Sequence, residues 1–388
     1  MPSIVMFYEN LAEKFVKNRL KFTVYASVLL GNFPYCCRKS NELDRKSKIL
    51  VSLLKYLWGF YFLVLTVLVL QRLQSYSTDS FSIFQSLAFV RESFYLHYVF
   101  MSLKSLFHGK RKQSLVRLLG KIHRYSKKTS ATTSIRFNGF DVVFAILYIV
   151  LMVTYIYQFG FVMSPSTPTL QTFSLVHLFK YNLEVVLLYT FLRQFGNFYA
   201  DIGRALDKLF DEQKRNIFVC SRNPGYLNDY LTGSQIRNLG KRILSLYELM
   251  EDFNVLYGSR LLNLFATVIL IILTKIDAIA SFIELTIIIT FVNIALSLIF
   301  TSDAIITEGQ DIFNAAYWFY LQSPDPSLQK EELRRFIFKM KYLTPVISAA
   351  DFFTIKKSTL TALCSGLTTH SIVMIQLGYS KFNKHVTH

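Results

Sequence analysis

Stretches of about twenty residues made almost entirely of Leu, Ile, Val, Phe and Tyr recur along the chain, and no other sequence feature narrows the possible folds so far. An α-helix rises 1.5 Å per residue, so each stretch matches a hydrocarbon core of roughly 30 Å and outruns an ordinary buried helix. The composition points the same way: 52% of the 388 residues are hydrophobic and the mean hydropathy is +0.33. Seven crossings are expected, over 49–71, 81–106, 142–163, 175–210, 259–275, 283–307 and 353–379. No apolar signal core with a cleavage site precedes the first, which is expected to act as its own insertion signal.

Orientation follows from the basic residues, because cytoplasmic connections retain Lys and Arg. The first 48 residues carry nine of them, among them Lys14, Arg19, Arg38 and Lys48, whereas the connection 72–80 has only Arg72. The next connection is again basic, from Lys110 to Arg136, and 164–174 has none. Arg204 to Arg242 and Lys330 to Lys341 continue the alternation, with only Lys275 between the fifth and sixth spans. The expected protein is an all-α integral membrane protein with its amino terminus inside and its carboxyl terminus outside. Its net charge of +18 is explained without nucleic acid, and inner-leaflet lipid is an expected contact.

Three regions follow. Residues 1–48 form a cytosolic segment, 49–307 a six-helix bundle with cytosolic extensions over about 199–258, and 308–388 a cytosolic helix followed by the seventh span. Apolar residues recur at helical spacing from Gln235 (Ile243, Leu246, Tyr247, Met250, Phe253), extending the fifth span into the cytosol. Asp325 and Pro326 supply an N-cap and a first-turn proline for an amphipathic helix with Leu333, Phe336, Ile337 and Met340 on one face, which needs a protein partner.

Phosphate-binding glycine loops, nucleophile elbows, HExxH and Cys/His metal patterns are absent, so no enzyme, cofactor or metal is expected. Cys36, Cys37, Cys220 and Cys364 read as free thiols. Ionisable groups within spans, Arg91 with Glu92 and Lys180 with Glu184, either pair locally or line a polar ligand pocket. Tyr155, Tyr157 and Gln158 are interfacial anchors or pocket residues, and His97 and His177 read as hydrogen-bonded helix residues. In the final span, Gln376 is an uncharged amide in an apolar helix. It either holds two helices together or contributes to a constriction.

Three segments near the carboxyl terminus carry a resemblance: Glu332 to Met340, Ile347 to Ile355, and Thr369 to Leu377. The last, Thr-His-Ser-Ile-Val-Met-Ile-Gln-Leu, resembles the signature of insect gustatory receptors, Thr-Tyr, five hydrophobic residues, then Gln-Phe. His370 stands for the Tyr, Leu377 for the Phe, and Ser371 is polar among the five. Phe353-Thr354-Ile355 resembles the sequence that opens the family's last helix, with Asp351 where glycine is common. Tyr25 to Tyr35 resembles the segment before the family's first span.

That resemblance implies a ligand-gated, non-selective cation channel, a homo- or heterotetramer with other gustatory receptor subunits, whose pore is lined by the last helix. It implies a gate at Gln376 and Leu377, with Thr369, His370 and Val373 about one or two turns earlier, and a cytosolic anchor built on Leu333, Phe336, Ile337 and Met340. A small-molecule tastant would bind among the first six spans, with Arg91, Tyr155, Gln158, His177, Tyr181 and Glu184 as candidate contacts. The aromatic, sparsely charged pocket region suits bitter compounds better than sugars. The implied location is the plasma membrane of sensory neurons. An odorant receptor of the same superfamily and a non-channel scaffold are the alternatives; a transporter would need repeats or broken helices, which are not seen.

Overall fold

The computed structural model describes residues 168–219, 226–275, 282–323 and 328–386, with helical residues at 56–57, 59–64, 66–67, 70–71, 74, 96, 100, 117–118, 120–122 and 125. Most of the first three expected spans, the segment 1–48 and the Asp325-Pro326 cap lie outside the described residues. The continuous elements are α1 (Pro168–Val219), α2 (Tyr226–Lys275), α3 (Phe282–Gln322), α4 (Leu328–Tyr342), β1 (Ser348–Ala349), β2 (Phe353–Thr354) and α5 (Lys357–Val386). Among the described residues, two helices are long and apolar enough to cross a membrane, within Gly233–Leu273 and Phe291–Gln322.

α1 is 52 residues long, about 78 Å, far more than a bilayer needs. It packs in parallel with α3 in steps of seven residues. Gly196 meets Ile305, Gly203 meets Ile312, and Phe210 stacks on Phe319 with ring centroids 3.8 Å apart. α2 runs antiparallel to α1, with Phe195 against Phe253 at 5.3 Å and Phe191 against Tyr257 at 5.6 Å. Phe191, Phe195, Phe253 and Tyr257 are all fully buried, so this aromatic cluster forms the middle of the core.

Expectation and structure agree that one unbroken helix, α2, carries the polar stretch from Gln235 and the apolar stretch 259–275. α3 continues to Gln322, past Thr307 where the sixth span is expected to end. Ile312, Ala316 and Phe319 keep the apolar periodicity and are buried, so packing against α1 sustains the helix beyond its lipid-like portion.

The apolar face of α4 finds its partner within the same chain. α4 lies alongside α2, with Leu328 over Gly233, Phe336 over Gly240, and Leu333, Phe336 and Met340 buried. Its opposite face exposes Phe338 and Tyr342, whose rings pack on each other at 4.6 Å.

A second difference concerns Phe353 and Thr354, expected to open the last helix but found in a strand. Ser348 pairs with Thr354 and Ala349 with Phe353 in an antiparallel hairpin, closed by Ile355 N donating to Ile347 O at 2.9 Å. The reversal puts Ala350 and Asp351 at φ of 54° and 58°. That backbone region suits glycine, and Asp is among the few other residues that adopt it. Asn254 of α2 holds the hairpin, accepting from Ser348 N at 3.1 Å and donating to Val346 O at 2.8 Å. α5 then starts at Lys357, whose backbone N–H is capped by Asp303 Oδ1 of α3 at 3.0 Å and whose Nζ meets Asp303 Oδ2 at 2.9 Å.

Two glycines permit this reversal. A Cβ at Gly258 would lie 2.8 Å from Ala350 N, and one at Gly309 would lie 2.5 Å from Pro345 Cγ. Gly258→Ala and Gly309→Ala are each expected to destabilise the protein by about 1–3 kcal/mol through overpacking. Gly366→Ala, with open space around it, is expected to be neutral or stabilising. Thermal melts of the detergent-purified variants, followed by size exclusion, check the contrast; equal melting of all three would refute the packing argument.

Candidate functional site

α5 carries the expected gate residues. Thr369, Val373 and Gln376 recur at intervals of four and three, which places them on one helix face, and all three are exposed. Ile372 is exposed as well. The Thr368 and Thr369 hydroxyls donate back to the carbonyls of Cys364 and Ser365 at 2.8 and 2.9 Å, so both are satisfied within their own helix. His370 and Leu377 occupy helical positions in α5, and their side chains lie outside the described residues. An apolar helix this exposed in a single chain has uncovered sides on which other helices can pack.

The expected ligand contacts are only partly described. Arg91, Tyr155 and Gln158 lie outside the described residues; His177 and Tyr181 fall on α1, but their side chains do not belong to the described set. Glu184 is buried, with its carboxylate held by the Arg260 guanidinium of α2. Arg260 is itself buried, 6.0 Å from the Tyr257 ring centre, and Asn263 lies buried one turn on. The structure therefore gives Glu184 a partner on another helix, 76 positions away in sequence. Sequence reading missed Arg260 and Asp303, although a charge within an apolar stretch is itself a signal that a partner exists.

On the cytosolic side of the expected topology, Arg237 of α2 reaches Glu332 of α4 through Nη2 at 2.5 Å and Nε at 3.1 Å. Arg335 adds a contact at 3.3 Å to the same buried carboxylate. These bonds, Arg237 foremost, outweigh burial and hold Glu332 below the usual carboxylate range. The described residues of 117–125 dock nearby. Leu118 and Ile122 are buried, Lys121 pairs with Asp252 at 2.6 Å, and Tyr125 lies 4.6 Å from Phe198. Burial pushes the Tyr125 hydroxyl pKa up. Between α1 and α3 runs a groove of about 1030 Å³, lined by Arg193 and, farther along the two helices, by Arg204, Asp207, Glu308 and Asp311. Among the described residues, no group of three or more His, Cys, Asp or Glu could hold a metal ion.

Two predictions follow from the ion pairs. Glu184→Leu or Arg260→Met alone strands a buried charge and is expected to cost about 3–5 kcal/mol, whereas the double variant recovers most of that loss. Thermal melts of the purified single and double variants test it; additive losses would remove the pairing argument. For Glu332, the folded pKa lies below the unfolded value of about 4.3, so its stabilisation is present above that value. It is lost as pH falls through the depressed folded pKa. Glu332→Gln is expected to cost about 1 kcal/mol at neutral pH, since Arg237 is half exposed, and nothing at pH values below both pKa values. Melting temperatures of both proteins across acid pH should converge; a constant gap would refute the assignment.

The comparisons with known proteins agree with this geometry. The chain is similar to the insect olfactory receptor OR5 from Machilis hrabei in complex with eugenol, with a TM-score of 0.63 and 15% identity over 92% of this chain and 98% of that one. The OR5 structure described without eugenol gives 0.59 and 16%, over 95% and 99%. At such identities the likeness establishes the shared fold. No curated protein sequence matches the chain significantly. The profile of the 7tm Chemosensory receptor family matches residues 20–381, nearly the whole length. The chain, helical over most of its described residues, therefore belongs to the 7tm chemosensory receptor family, a family of multi-pass membrane receptors rather than enzymes.

Proposed function

We propose that the chain is a gustatory receptor subunit, a ligand-gated non-selective cation channel assembled as a homo- or heterotetramer in the plasma membrane of sensory neurons. The observation that carries this reading is the exposed face of α5, where Thr369, Val373 and Gln376 align in a helix uncovered by its own chain. Four such helices around an axis would form a pore, with the Gln376 amide and Leu377 making a polar ring beside an apolar one. A constriction of that kind closes by dewetting. The chain directions support the proposed topology: α1 and α3 run parallel, α2 is antiparallel to α1, and α4, the hairpin and α5 follow α2.

In this reading the ligand occupies a pocket facing the outside, with Arg91, Tyr155, Gln158, His177 and Tyr181 as its contacts and the Glu184 and Arg260 pair as its inner boundary. Its aromatic character favours bitter compounds over sugars. An odorant receptor is the second reading, favoured by the likeness to OR5, whose described structure holds eugenol. Whichever ligand binds, it opens the gate only through a higher affinity for the open state.

Whole-cell currents in cells expressing the chain, alone and with partner subunits, test the proposal under a panel of bitter compounds, sugars and odorants. A cation current evoked by bitter compounds is expected. Gln376→Ala, which widens the ring, is expected to raise the unliganded current roughly tenfold, equivalent to about 1.4 kcal/mol of gate closure. A current evoked only by odorants would favour the second reading. Ligand responses left unchanged by Gln376→Ala would remove Gln376 from the gate.

A further inference from the structure

Among the described residues, Ala350 and Asp351 are the only non-glycine residues with a positive φ, 54° and 58°, and they stand side by side. They are the central pair of a turn closed by Phe352 N donating to Ala349 O at 3.0 Å. A turn with both central residues in the left-handed region is normally built from Gly, Asn or Asp, because other L-residues pay backbone energy there. Ala350 has no polar group to offset that cost, and its methyl is exposed, so side-chain packing does not offset it either. Strained backbone of this kind persists only where its surroundings enforce it.

The enforcement begins on α2. Asn254 donates to Val346 O at 2.8 Å and accepts from Ser348 N at 3.1 Å, and the buried Ser348 in turn accepts from Asp351 N through its Oγ at 2.8 Å. Asn254 is only partly buried, so water competes for both of its bonds. On the far side, β2 leads directly into α5: Thr359 Oγ1 donates to Thr354 O at 2.7 Å and accepts from Lys356 N at 3.2 Å. Opening the turn therefore loosens the first turn of α5 from α2, while Asp303 still holds Lys357 on α3. We propose that the Ala350–Asp351 reversal is a strained clip at the foot of α5, latched by Asn254 and biased to open once α2 withdraws that side chain. The clip stands on the geometry of the hairpin and not on the pore assigned to α5.

Hydrogen–deuterium exchange of the purified full-length protein in detergent, read by mass spectrometry over 346–356 and over the start of α5, tests the clip. Asn254→Ala is expected to speed exchange of both segments about tenfold, as the net loss of one hydrogen bond predicts. Adding Ala350→Gly and Asp351→Gly is expected to return both towards the unmodified rate, because glycine relieves the left-handed backbone. If no strain is stored, glycine adds only chain entropy to the open form and speeds exchange further. That outcome would overturn the proposal, as would an Asn254→Ala protein that exchanges like the unmodified one, or fast exchange of 346–356 with α5 unaffected. Slow exchange over 236–250 of α2 reports that the bundle is intact in each variant. Should Asn254→Ala fail to fold, the glycine pair in the otherwise unmodified protein still decides the matter. It is expected to slow exchange of 346–356 about threefold, and faster exchange there would overturn the clip.

Discussion

The seam between α1 and α3 sets the geometry of the rest of the described chain. Its contacts step by seven residues, from Gly196 with Ile305 through Gly203 with Ile312 to Phe210 with Phe319, so the two helices stay in register. Glycine at the first two contacts lets the backbones approach closely, and the stacked rings close the third. In hydrocarbon there is no hydrophobic gain from pairing helices, so close packing at small residues supplies the attraction. Farther along, the same seam buries Ile312, Ala316 and Phe319. α2 then fills the other side of α1 through the aromatic cluster around Phe253, and α4 follows α2.

Three ion pairs in this bundle tie one helix to another. Glu184 and Arg260 join α1 to α2, Arg237 and Glu332 join α2 to α4, and Asp303 and Lys357 join α3 to α5. Each pair therefore fixes a relationship that hydrophobic packing alone leaves free to slide, at a desolvation cost that is largest for the fully buried first pair. Asp303 also acts as a side-chain cap from a neighbouring helix, satisfying an N–H at the start of α5 that no residue of α5 itself reaches.

Much of this was legible in the sequence where periodicity extends over many residues. The long α2, the amphipathic α4 and the final helix all follow from apolar spacing, because burial of one face acts at every turn. Three features were not legible, each for a physical reason. The Phe353 strand is only two residues long, too short for alternation to distinguish it from a helix start. The extension of α3 past Thr307 depends on α1 supplying a partner surface, which local hydropathy does not register. The partner of Glu184 is distant in sequence, so Lys180, one turn away, looked like the natural mate. The positive φ of Asp351 belongs to a tight reversal that spacing along the sequence does not register.

These constraints meet at the base of α5. The hairpin preceding it is fastened to α2, through Asn254 and through the close approach of Ala350 to Gly258, while its first residue is fastened to α3 through Asp303. The base of the last helix is thus defined by two elements at once, and Pro345 against Gly309 adds a second link from the same loop to α3. Any shift of α3 against α2 must either break the Asp303 contacts or carry the base of α5 with it. Gln376 lies nineteen residues farther along, about 28 Å by helix rise, so a small tilt at the base becomes a larger displacement there. α1, α2 and α3 share one packed core, so a change in how they pack reaches α5 through these four contacts at its foot.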